Sequence, residues 1–208
     1  MTYRYFLAGL LLASGCGEPI SGEGGYAGDD EPYELLPGGV LAGDQVIDWS
    51  SDPCSGSVSA TGNRLGQVAE DFSLMDQFGR ELNLHDFCDR TVLLVSSAEW
   101  CIPCREEAPM LADWYNTYKD EGLMVITLIT ENADNAPAPQ DMLWAWADAF
   151  DIEHPVVSDV DWEVTRRFVD GKNISIPTMH LLRRGLYVDI RDGEVHEDDI
   201  QRILSEGG

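Results

Sequence analysis

The chain has 208 residues, of which 38 are aspartate or glutamate and 13 lysine or arginine, for a formal charge of −25. Such an anion is repelled by a phosphate backbone and by anionic lipid headgroups, which argues against nucleic acid as a partner and against charge-driven adsorption to a membrane. The acidic residues are scattered, with short clusters such as Asp29-Asp30-Glu31 and Glu197-Asp198-Asp199; they read as a solvated surface around one domain of ordinary size with extensions.

The first segment in chain order is a targeting signal. Arg4 supplies one positive charge, and Tyr5 to Ala13 is apolar but far shorter than the roughly 20 residues that span a bilayer. Ser14 and Gly15 precede Cys16. The segment resembles a bacterial lipoprotein signal, in which the cysteine is lipidated and becomes the first mature residue. Ala13 stands where such signals usually carry leucine, and Ala13 with Gly15 equally suits a plain secretory cleavage. Both readings cut before Cys16. They make residues 1–15 a signal peptide and place the protein in the cell envelope, on the periplasmic side. The lipoprotein reading adds a lipid anchor on Cys16. No later segment is long and apolar enough to span a membrane.

Residues 16–62 read as a flexible tether and N-terminal extension. Gly17 to about Gly43 is rich in Gly, Pro, Glu and Asp, too polar to bury a core. Val46-Ile47-Asp48-Trp49 is a candidate short strand within this extension.

The globular pattern runs over 63–208. Asp71 to Asp76 and Glu81 to Leu84 alternate apolar and polar about a Gln77-Phe78-Gly79-Arg80 turn, which predicts a hairpin. Thr91-Val92-Leu93-Leu94-Val95 predicts a buried strand, and Met110, Leu111 and Trp114 recur at helical spacing after Cys104. Gly122 to Ile129 is a strand covered on both faces. Asp141 to Phe150 is a helix in which Trp144 and Trp146 read as packing residues. Pro155-Val156-Val157 is a short strand and Glu163 to Val169 a helix. Thr178 to Leu182 and Tyr187 to Ile190 form a hairpin, and Glu197 to Leu204 is a final helix. The expected class is α/β: a central mixed sheet flanked by helices, with an N-terminal β-hairpin.

The chemistry lies in Trp100-Cys101-Ile102-Pro103-Cys104, between the first buried strand and a helix. A cysteine at a helix N-terminus meets unpaired backbone N–H groups and the positive end of the macrodipole, which favour thiolate. Thiolate is the form that attacks disulfides. A structural zinc site would need a second Cys/His pair at ligand spacing, and the sequence has none. Of the five cysteines, Cys54 and Cys88 remain after the dithiol and Cys16. In an oxidising compartment they are expected to form a structural disulfide; two free, partly buried thiols are the other reading.

The order strand, Trp-Cys-X-X-Cys, helix, strand, helix, then Ile176-Pro177-Thr178 opening a strand, resembles the thioredoxin superfamily. The hairpin at 71–84 resembles its redoxin branch, and Glu107 with Pro109 its TlpA-like and ResA-like members. The resemblance covers about residues 65 to 206. It implies a thioredoxin-like fold, a cis Pro177 against the dithiol and no cofactor. It also implies that the backbone of Ile176, beside Trp100, binds the substrate chain. Cys101 would attack a substrate disulfide and Cys104 would resolve the mixed disulfide. Exported protein disulfides or dithiols would be the substrates, with a further redox partner to reset the site and reduction as the direction. Glu107, three residues past Cys104, would exchange a proton with the resolving thiol, or else only stabilise the helix terminus. The buried acid that assists thioredoxin's resolving cysteine corresponds here to Val95. Two alternatives stand beside this reading. A copper-binding module would use Cys101, Cys104 and His180. A peroxiredoxin-like thiol peroxidase would need Thr or Ser three residues before its cysteine, where this chain has Ala98.

Overall fold

The computed structural model describes Trp49 and residues 58–206. Two seven-residue apolar runs build its centre. β3 (Thr91–Ser97) and β4 (Leu123–Ile129) are buried at every position and run parallel, with Leu94 opposite Ile126. Parallel strands with no solvent face carry continuous apolar sequence instead of alternation. β5 (Val156–Ser158) extends the parallel set beyond β4. β6 (Thr178–Arg183) lies antiparallel on the other side of β3, and β7 (Tyr187–Gly193) closes that edge, giving the order β5-β4-β3-β6-β7.

The parallel pairs require crossovers, which helices supply. α1 (Ile102–Tyr118) joins β3 to β4 and buries Leu111, Ala112, Trp114, Tyr115 and Tyr118. Pro103 lies in its first turn, where a missing N–H costs nothing. Pro109 lies inside the helix and removes a donor from its ladder. α2 (Gln140–Ala149) joins β4 to β5, with Leu143 and Trp146 inward; Trp146 packs edge-on to Phe150. α3 (Glu163–Phe168) precedes β6. It stops one residue short of the expected end because Val169 is extended. α4 (Glu197–Ser205) buries Ile200 and Ile203. The cluster Glu197-Asp198-Asp199 lies in its first turn, where negative charge complements the helix dipole.

The expected hairpin forms a separate two-stranded sheet, β1 (Ser73–Met75) with β2 (Glu81–Asn83). Its turn is tied by Asp76, whose buried carboxylate accepts the Phe78 and Arg80 N–H groups and Arg80 Nε, each at 2.8 Å. Of the strand expected at 46–49, only Trp49 lies among the described residues, and it is not in a strand. It is buried, donates its indole N–H to the Glu153 carbonyl at 2.8 Å and stacks under the Arg80 guanidinium. A pinned tryptophan of this kind needs no strand. Among the described residues no helix is long and apolar enough to cross a membrane.

Candidate active site

β3 ends at Ser97, and the chain turns through Ala98, Glu99 and Trp100 into α1. Cys101 is the residue that caps this helix, with extended backbone; its Sγ accepts the Cys104 N–H at 3.2 Å. A sulfur in that position takes up one of the orphan donors of a helix start, which favours it as an anion once reduced. Cys101 and Cys104 are joined as a disulfide, so the structure shows the oxidised form. Both are nearly enclosed, 3% and 1% exposed, and pack with Ala98, Ala108, Ile129, Leu143 and Trp146 in an apolar cluster separate from the main core.

Pro177 arrives at this cluster from the opposite side of β3, at the head of β6. The Ile176–Pro177 bond is cis. It aims the Ile176 carbonyl at the site, 3.7 Å from Cys101 Sγ; with the disulfide reduced, the thiol would have an acceptor there. Thus two motifs 75 residues apart meet because β3 and β6 are register-paired, Ser96 opposite Thr178.

Glu107 lies one helical turn beyond Cys104. Its Oε2 is buried without a hydrogen-bond partner, and burial, with the Glu194 charge as a smaller cause, holds its carboxyl above the ordinary range.

His180 does not belong to this site. It lies opposite Leu94 in β6, fully buried against the Phe168 ring, and its Nδ1 accepts the Asp192 N–H at 2.9 Å. Burial pushes its pKa down to about 3. Among the described residues no three His, Cys, Asp or Glu side chains come together to hold a metal, so the copper module built on Cys101, Cys104 and His180 is corrected. Three residues along a strand run the side chain into the core behind the site, not over the dithiol. Val95 is buried on β3 and brings no titratable group. Cys88 follows the short turn Leu84–Phe87; Cys16 and Cys54 lie outside the described residues.

The sequence singled out Trp100 but not the residues it is tied to. Trp100 donates its indole N–H to Glu131 Oε2 at 3.0 Å, and Trp162 donates to Glu131 Oε1 at 2.9 Å. Trp162 enters through the tight turn Val160–Trp162, which follows Asp159. Asp159 is fully buried and accepts the N–H groups of Val164 and Thr165 at 2.8 and 2.9 Å and the Thr165 hydroxyl at 2.6 Å. That hydroxyl also meets Ser96 Oγ on β3 at 2.8 Å. An aspartate four residues before a helix was the one signal available.

A family model described as the AhpC/TSA family matches residues 65–195. The chain is similar to the thioredoxin-like protein YneN of Bacillus subtilis (strain 168), 29% identical over 154 residues, 71% of this chain and 83% of that one. It is also 29% identical to the thiol-disulfide oxidoreductase ResA of Geobacillus kaustophilus (strain HTA426) over 67% of this chain and 76% of that one. A thioredoxin-family thiol:disulfide interchange protein from Chlorobium tepidum TLS shares the fold, with a TM-score of 0.56 at 20% identity over 73% of this chain and 98% of that one.

Proposed function

Because the chain belongs to the AhpC/TSA family and is a thiol–disulfide oxidoreductase, we propose that it reduces disulfides of exported proteins while tethered to a membrane on the periplasmic side. The observation that carries the chemistry is Cys101 at the start of α1, its sulfur on the Cys104 N–H and beside the Ile176 carbonyl.

The reduced enzyme attacks with the Cys101 thiolate. A bond forms from Cys101 Sγ to one substrate sulfur, and the other substrate sulfur leaves as a thiol after taking a proton. Cys104, deprotonated with Glu107 as acceptor, then attacks Cys101 Sγ. The second substrate sulfur leaves as a thiolate and takes a proton; the two electrons lost by the enzyme now reside on the substrate's two thiols, and Cys101 and Cys104 are left joined as the disulfide seen here. An external dithiol partner resets the site. Pro177 and Ile176 present backbone to the substrate chain, and Trp100 adds apolar surface. Ala98, buried three residues before Cys101, offers no hydroxyl to a peroxide, which favours disulfide exchange over a peroxidase.

The same reading removes residues 1–15 as a signal, lipidates Cys16, makes 16–62 the tether and 63–208 the catalytic domain. Cys54 is the partner we assign to Cys88, whose sulfur is disulfide-bonded.

Reduction of insulin disulfides by the purified protein tests the chemistry; Cys101→Ser should abolish it, and full activity in that variant would refute the mechanism. Cys104→Ser should hold its substrate as a mixed disulfide that mass spectrometry identifies. Equilibration with glutathione tests direction: a Cys101–Cys104 potential as oxidising as the roughly −120 mV of a strong oxidant would overturn the reductant role.

A further inference from the structure

Of the six large hydrophobic side chains exposed among the described residues, Trp100, Ile102 and Val160 stand beside the dithiol or in the turn that carries Trp162, 43%, 69% and 46% exposed. Two of the elements that carry them are linked through one carboxylate. Indole N–H groups only donate, and Glu131 accepts one on each oxygen, from Trp100 at 3.0 Å and from Trp162 at 2.9 Å. Glu131 itself is fixed where β4 ends, its carbonyl accepting the Glu99 N–H at 2.9 Å.

The second indole is held at a conformational cost. Asp161 and Trp162 both have left-handed backbone, φ 57° and 61°, which is rare for a bulky residue. Such backbone persists only where the surroundings over-determine it, and it concentrates at functional sites. Here the surroundings are the Trp162 N–H on the Asp159 carbonyl at 3.1 Å and the Asp159 carboxylate on the start of α3. A tryptophan needed only for packing would not require two strained residues, nor would it share an acceptor with the exposed tryptophan next to the nucleophile.

We propose that Glu131 is a positioning residue that locks Trp100 and Trp162 into one aromatic platform beside Cys101, and that the platform makes the enzyme prefer disulfides with a bulky apolar side chain next to the reacting cysteine. The occupant is a substrate segment of that kind. Trp100, 43% exposed, offers apolar ring surface there, and both oxygens of Glu131 are occupied by the indoles it holds. This rests on the oxidoreductase reading and adds a substrate class to it.

The test uses two decapeptides joined to glutathione by a disulfide and differing only in the residue after cysteine, Phe or Ser. Hydroxyethyl disulfide is measured alongside. With an external dithiol supplied to reset the enzyme after each cycle, the wild type should turn over the Phe peptide with a kcat/KM about tenfold above the Ser peptide, the scale on which an apolar pocket discriminates. In Glu131→Ala and in Trp162→Ala the ratio should fall to about one, through KM and not kcat. Glu131→Gln, which keeps one acceptor oxygen, should fall between. A wild-type ratio of one, or an undiminished ratio in both alanine variants, overturns the platform. If Glu131→Ala does not fold by circular dichroism, Trp162→Ala alone decides. If the wild type reduces none of the three disulfides, the oxidoreductase reading has failed and the platform falls with it; turnover without preference sinks only the platform.

Discussion

Glu107, one helical turn beyond Cys104, has two properties expected of a proton carrier: a buried, unpartnered oxygen and a carboxyl held by burial above its ordinary range. General acid–base groups work best when their pKa moves toward the operating pH. Glu107→Gln should slow resolution of the mixed disulfide by about 10²-fold, the lower end of the usual contribution, in stopped-flow measurements on the reduced protein. The same substitution should raise thermal stability at neutral pH. A carboxyl whose folded pKa is raised binds its proton more tightly in the native state, so its stabilising influence is present at low pH and lost as pH rises through the folded value. Removing the charge removes that loss. The buried histidines carry the opposite sign. Burial lowers the pKa of His154 and His180 to about 3, against about 6.5 in an unfolded chain. Both stay neutral in the native state, and stability falls as pH drops from about 6.5 toward 3. His154→Gln should reduce the slope of unfolding free energy against pH in that window by about 1.4 kcal/mol per pH unit, read from urea titrations.

At the scale of elements, α3 depends on a cap that lies outside it. Its first-turn N–H groups go to Asp159, while the residue directly before the helix, Trp162, supplies no side-chain cap. Burial raises the Asp159 pKa, and its hydrogen bonds to Thr165 and Val164 oppose the rise. Asp159→Ala would strip the helix start and leave the Thr165 hydroxyl without its carboxylate acceptor. It should cost about 2–3 kcal/mol in urea unfolding, the sum of a lost cap and a buried polar group left short of partners. The elements themselves were largely legible in the sequence. Runs such as Leu93-Leu94-Val95 and Val125-Ile126 have only one way to be buried, and the Cys-X-X-Cys and Ile-Pro-Thr motifs carry their geometry in a few adjacent residues. Glu131 was not legible, because its role exists only when β3, β4 and the turn at 160–162 stop at matching heights. Nor was the left-handed backbone at Trp162, which propensity assigns to glycine or asparagine. His180 was misplaced because closeness to Pro177 along the chain says nothing of which way a strand carries a side chain.

For the whole molecule, the site lies at the carboxyl end of the central strand, so every group acting on the disulfide is referenced to the least exposed part of the sheet. β3 is flanked by β4 and β6 and buried throughout, whereas Cys101 lies in the connection that leaves it and the Ile176 carbonyl in the connection that enters β6. Pro109 completes this division of labour. Without its N–H, the carbonyl four residues earlier, Arg105, loses its helical donor, and the turn bearing Cys101, Cys104 and Glu107 is joined to the rest of α1 by a weakened seam. The helix is therefore expected to divide into a compliant tip and an anchored shaft. On reduction, the change in sulfur–sulfur distance should then be taken up in the tip, with the shaft packed on the sheet left in place. Amide hydrogen exchange should show this as faster exchange over 104–108 than over 111–118, with reduction of the disulfide altering the first segment and leaving the second unchanged.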